Sequence, residues 1–90
     1  MIVEITDYGS GEVNFVEYSV FGLSGEQMSF LDENLDEKTC IVDDKLLIKA
    51  YFDENLYPFA SDVAQFRLDD FIAREEIEMS VFLLSFLEDM

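Results

Sequence analysis

The sequence predicts an α+β domain: an antiparallel sheet of about five strands with two helices, in the order ββαββαβ. Three observations lead there. Short stretches rich in Val, Ile, Phe and Tyr recur at strand length between turn residues. A Ser-x-x-Gln box stands before one apolar stripe at helical spacing. No linker or low-complexity segment interrupts the 90 residues, which suffice for one domain, 1–90, with a small core.

The elements follow in order. "IVEIT", residues 2–6, alternates apolar and polar and reads as a strand. "DYGSGE" supplies turn backbone, and "VNFVEYSVF", residues 13–21, reads as the second strand of a hairpin ended by Gly22. "SGEQ", residues 24–27, caps a helix over about 25–37, with Met28, Leu31 and Leu35 as its buried stripe. Thr39 to Val42 reads as a short strand and "DDK" as a tight turn. "KLLIKAYF", residues 45–52, turns Leu46, Ile48, Ala50 and Phe52 to one face and Lys45, Leu47, Lys49 and Tyr51 to the other. "DENLYPFAS" is a loop, because Pro58 disfavours helix at Tyr57. Ser61 or Asp62 caps a second helix running to about Arg74, with Val63 and Phe66 marking its turns. In "EIEMSVFLLSFL", Ile77, Met79, Val81 and Leu83 alternate against Glu76, Glu78 and Ser80, which predicts a last strand. A helix there would be apolar on nearly every side after Met79.

That last strand has a second apolar face, Phe82, Leu84 and Phe86. Either it is a central strand covered on both sides, or a homodimer buries one of them.

Half the residues are hydrophobic, with nine Phe and four Tyr, so the chain is expected to fold despite its charge. The longest apolar run is Val81–Leu84, and no basic segment precedes an apolar one near the start. These features predict a soluble, cytoplasmic protein without a membrane partner. The single cysteine, Cys40, suits a reducing compartment and reads as a small buried hydrophobe.

The charge is the unusual quantity. Twenty-one acidic residues against five basic ones give a net of −16, beyond the magnitude of about 2–8 that serves solubility in a small domain. Residues 1–37 carry nine carboxylates and no Lys or Arg, and residues 75–90 carry five and again no cation. Like charges on a compact body repel. Such an excess points to a partner of opposite sign or to a halophilic source.

Several chemistries are excluded or poorly served. With no His and one Cys, His-dependent nucleophile systems are excluded and transition-metal sites are poorly supported. "GSG" at 9–11 lacks the Lys and following helix of a phosphate loop. The tetrad Asp-Glu-Asn-Leu occurs at 32–35 and at 53–56. Read as a calcium loop, the first copy offers Asp32, Asn34, Asp36 and Asp43, but Glu37 stands where the sharp turn needs Gly, and Asp43 where a longer Glu is usual. The flanks of the two copies differ, so they form no repeat. We expect no enzyme, no cofactor, no metal and no direct nucleic-acid binding, because phosphates would be repelled.

Ordered carboxylates can instead occupy a surface built for phosphates. Helix neighbours one turn apart lie about 5–6 Å apart at Cβ, near the spacing of phosphates along a strand. On the predicted first helix, Asp32 with Asp36 and Glu33 with Glu37 make two such pairs, and Glu26 stands in its first turn. Asp69, Asp70, Glu75, Glu76 and Glu78 form a second set, in which Arg74 can pair with Asp70. Asp43, Asp44, Asp53 and Glu54 sit at turns, where Asp is common for backbone reasons alone. A solvated helix face is the plain alternative for any one pair.

The cation-free "MIVEITDYGSGEVNFVEYSVFGLSGEQMSFLDENLDE" and the acid-rich "REEIEMSVFLLSFLEDM" resemble the small phage-encoded DNA-mimic inhibitors. These include the anti-restriction proteins of T-even phages (the Arn family), uracil-DNA glycosylase inhibitors and some anti-CRISPR proteins. The resemblance is one of class, carried by size, acidity and the lack of catalytic residues, with no shared motif. It implies a dimer that blocks a basic DNA-binding host protein: a restriction nuclease, a nucleoid protein or a CRISPR effector. For a phage-encoded chain the compartment would be the host bacterial cytoplasm. An immunity protein or antitoxin that neutralises a basic nuclease is the alternative, and an acidic subunit unrelated to DNA is a third.

Overall fold

The computed structural model describes residues 1–9, 14–52 and 65–90, with the backbone alone at 52 and 65–68. The elements are β1 (Ile2–Gly9), β2 (Asn14–Phe21), α1 (Gly25–Asn34), β3 (Lys38–Val42), β4 (Lys45–Phe52) and α2 (Gln65–Glu88). The class is α+β as expected, with an antiparallel sheet of four strands in the order β1-β2-β4-β3 and two helices. The predicted start of the second helix at Ser61 or Asp62, and the loop before it, lie outside the described residues.

Two hairpins build the sheet, and β2 pairs with β4 to join them. β1 runs past the predicted boundary at Thr6, because a bulge between Ile5 and Asp7 lets pairing continue to Gly9 opposite Phe15. Gly9 is tight there, since a Cβ would collide with the Phe15 ring. Gly22 ends β2 with φ of 82°, a left-handed value glycine adopts without a Cβ penalty. Asp43 and Asp44 make the two-residue connection between β3 and β4, and Asp43 has φ of 55°. Asp tolerates that region better than most residues.

α1 begins as its sequence dictates. The Ser24 side chain accepts from the Gln27 amide at 3.1 Å, and the Gln27 side chain accepts from the Ser24 amide at 2.9 Å. This capping box satisfies two otherwise orphaned donors. The helix ends at Asn34, three residues earlier than predicted. Leu35 is already extended (φ −79°, ψ 141°), and its amide makes the final helical bond to Leu31. The chain must straighten there, because Lys38 is the first residue of β3 and pairs with Lys49.

One core lies between the sheet and the helix layer. Val3, Val16, Tyr18, Val20, Leu46 and Ile48 face it from the strands, Met28 and Leu31 from α1, and Leu35 from just past the end of that helix. Leu83 closes it from α2. Side chains buried this fully contribute roughly 1.5–3 kcal/mol each.

The main departure from the sequence reading is the last segment, which is not a strand. α2 continues without a break through Arg74 to Glu88, so residues 76–87 form its second half. Met79, Leu83 and Phe86 turn to the core, and Ile77, Val81 and Leu84 turn outward. The apolar surround that argued against helix is real, and one side of it is left exposed. No helix among the described residues is long and apolar enough to cross a membrane.

Candidate acidic interface

The outer face of the sheet mixes signs, with Glu4, Asp7 and Glu17 in register on the same side as its lysines. Lys38, Lys45 and Lys49 belong to β3 and β4 at positions that alternate with the core residues, on the face away from the helices. Two of them are held by rings: Lys49 Nζ lies 4.6 Å from the Phe15 ring centroid and Lys45 Nζ 5.9 Å from that of Phe21. Beside them a hollow of about 90 Å³ is lined by Glu17, Lys38, Thr39, Cys40, Leu47 and Lys49. It is far below the roughly 300–1,000 Å³ of small-molecule sites. Cys40 is exposed on the edge strand β3 rather than buried as expected.

The helix side is acidic. Glu26 stands exposed in the first turn of α1, and Asp32 and Glu33 are exposed in its last. Asp36 and Glu37 follow after the helix has ended, so the two one-turn pairs expected from the sequence, Asp32 with Asp36 and Glu33 with Glu37, do not exist as helix neighbours. Asp36 remains exposed and Glu37 is half-buried. Asp32 has a local role as well: its carboxylate accepts a short hydrogen bond from the Thr39 hydroxyl, tying α1 to β3. Asp43 and Asp44 are exposed at the hairpin turn, separated from the α1 acids by the length of β3. The candidates Asp53 and Glu54 lie outside the described residues.

On α2, Asp69, Asp70 and Glu78 are exposed. Glu75 and Glu76 instead turn inward. Glu76 Oε2 accepts from the backbone amide of Ile5 at 2.8 Å, and Glu75 Oε2 accepts from the Tyr18 hydroxyl at 3.3 Å. Both are half-buried against the sheet. Burial, then the negative charge of Glu75, pushes the Tyr18 hydroxyl well above its ordinary range, so it stays a donor. Burial also raises Glu75, and Glu78 adds to it, while the Tyr18 hydrogen bond and Arg74 pull the other way.

A pH dependence follows. The folded chain holds the Glu75 proton to a higher pH than the unfolded chain does. Ionising Glu75 therefore removes stability as pH rises from the ordinary carboxylate range through the raised folded value. Glu75→Gln keeps an acceptor for Tyr18 and removes the titration. It is expected to melt at a higher temperature than the parent near pH 7, with the difference closing near pH 4. Thermal melts at the two pH values check this.

The sequence reading passed over Glu88 and Asp89, which are exposed and extend the acid set to the end of α2. The cation-free run after Arg74 was the signal for them. Phe82, Leu84 and Phe86, grouped in the sequence as one strand face, are separated by the helix. Phe82 and Phe86 sit one turn apart with rings edge to face at 4.9 Å, and Phe86 packs on the core. Leu84 belongs to the outward side with Ile77 and Val81.

Among the described residues, no group of three or more His, Cys, Asp or Glu is placed to hold a metal ion. The residues considered for a calcium loop are pulled apart: Asp32 lies in α1 and Asp43 beyond the far end of β3.

No curated protein matches the chain. Residues 2–89 match a family of unknown function, DUF5750. Since the match runs over nearly the whole sequence, the chain belongs to the DUF5750 family.

Proposed function

We propose that the chain is a DNA-mimic inhibitor, which binds the basic DNA-binding surface of a nucleic-acid-binding protein and keeps DNA from it. The observation that carries this reading is the excess of exposed acids on the helix side. The lysines of the sheet face away from the helices. The helices carry only Arg67 and Arg74 against Glu26, Asp32 and Glu33 on α1 and Asp69, Asp70, Glu78 and Glu88 among the exposed acids of α2. Ordinary solvated helix faces mix signs. The 24 residues of α2 span about 36 Å, close to the 34–36 Å or so of one turn of duplex, with exposed carboxylates from Asp69 to Glu88.

Restriction nucleases, nucleoid proteins and CRISPR effectors all offer such a surface. Attraction to it is long-ranged and screened as the Debye length falls from about 10 Å at 0.1 M salt to about 3 Å at 1 M. The test is capture of proteins from bacterial lysate on immobilised chain, with and without duplex DNA. Bound proteins are expected to be released by DNA and by salt. Gln at Glu26 and Glu33 together with Asn at Asp70 should lower affinity on the order of ten-fold or more, from ~0.2–1 kcal/mol per exposed pair. Binding unchanged in high salt, or simultaneous with DNA, sinks the reading.

The exposed apolar residues of α2 favour a second reading, an immunity protein that covers a nuclease by shape and anchors. In that case truncating Phe82 and its neighbours costs more affinity than neutralising the acids.

A further inference from the structure

The outward side of α2 carries residues 70, 74, 77, 81, 84 and 88, in alternating steps of four and three. That spacing is the seam of a two-stranded coiled coil. Ile77, Val81 and Leu84 stand at its centre, 66%, 61% and 51% exposed, on the side opposite Met79 and Leu83. Among the described residues they take no part in the core.

The ends of the seam are charged, and unequally. Arg74 lies seven residues before Val81, and Glu88 lies seven after it. A parallel pair of such helices sets Arg74 on Arg74 and Glu88 on Glu88. An antiparallel pair about a two-fold axis at Val81 sets each Arg74 against the Glu88 of the other copy, twice over. Asp70 stands beyond that pair. A two-fold interface must be complementary to itself, and this stripe is so in one orientation only. A basic partner would gain nothing from Arg74, which sits on the line of contact.

We propose that α2 pairs with α2 of a second copy, antiparallel across Ile77, Val81 and Leu84, with Arg74 and Glu88 bonded between copies. The pairing does not depend on the DNA-mimic reading.

Sedimentation equilibrium of the full chain up to about 1 mM, the weak end of specific association, tests it. The parent is expected to show a dimer that dissociates on dilution. Val81→Glu and the neutral Val81→Ser are expected to favour monomer while keeping the parent's circular dichroism, because Val81 lies outside the core. Arg74→Glu and Glu88→Arg should each weaken the dimer about tenfold, and the two together should restore most of it. A parent that stays monomeric throughout overturns the proposal. So does a dimer indifferent to Val81→Glu, or a double reversal that fails to recover. If the chain is monomeric and Val81→Glu instead abolishes capture of a basic protein, the stripe serves that protein and the proposal fails.

Discussion

Leu83→Ala is expected to destabilise the chain by about 2–5 kcal/mol, the range for removing a buried leucine and leaving part of its cavity behind. Leu83 is fully buried, and among the described residues it is the α2 side chain of the buried core, meeting a cluster made by the sheet, α1 and Leu35. A domain of this size has a total stability of roughly 5–13 kcal/mol at 0.05–0.15 kcal/mol per residue. The substitution thus removes a large share of what holds α2 to the sheet. Urea unfolding should show a lower midpoint with an unchanged slope. Leu84→Ala is the matched control. Its side chain is exposed on the helix, and its cost should stay within about 0.5 kcal/mol in dilute solution. A strand covered on both faces would instead make both changes costly, so comparable losses at 83 and 84 would contradict the helix.

Glu76→Ala should cost about 1.5–3 kcal/mol, the value of a hydrogen bond to a charged group. β1 is an edge of the sheet, and edge strands carry backbone donors with no strand partner. The amide of Ile5 finds its acceptor in Glu76 across 71 residues of sequence. Removing the carboxylate leaves that amide in a half-buried position without it. Hydrogen exchange at Ile5 should quicken together with the loss of stability. Glu76→Gln retains an oxygen acceptor and should lose less. If Glu76→Ala leaves both stability and Ile5 exchange at parent values, the carboxylate does not clamp the edge. The bond also removes Glu76 from the residues free to meet a partner, and the Tyr18 contact does the same for Glu75. A variant set that neutralised all the acids of α2 would mix lost folding with lost binding. Glu26, Glu33 and Asp70 are exposed and take no part in these contacts, so neutralising them tests binding apart from folding.

Local chemistry made much of the fold readable. The Ser24–Gln27 box, the stripe Met28–Leu31–Leu35 and the alternation of Leu46 and Ile48 with Lys45 and Lys49 each name their element and their buried side. The first failure, the end of α1, came from pairing at a distance: Leu35 keeps helical spacing and reaches the core, yet β3 has to start at Lys38. The second came from a pattern that fits two periods. Ile77, Met79, Val81 and Leu83 alternate as a strand does, but Met79 and Leu83 also lie one helical turn apart, as do Ile77 and Val81. The ambiguity arises because the segment has an outward apolar side as well as a core side. The acidic surface was legible as composition but not as geometry. Nothing in "REEIE" tells an exposed carboxylate from one folded back onto Tyr18 or Ile5.

The contact between Ile5 and Glu76 also sets an order on biosynthesis. At about 5–20 residues per second, the 71 residues between them take roughly 4–14 s to be made. From the completion of β2 at Phe21 to the end of that interval, the nascent β1–β2 hairpin lacks both its edge clamp and the leucine that closes its core. Synonymous codons that slow translation between residues 9 and 76 would lengthen the wait, and chaperone dependence should rise with them.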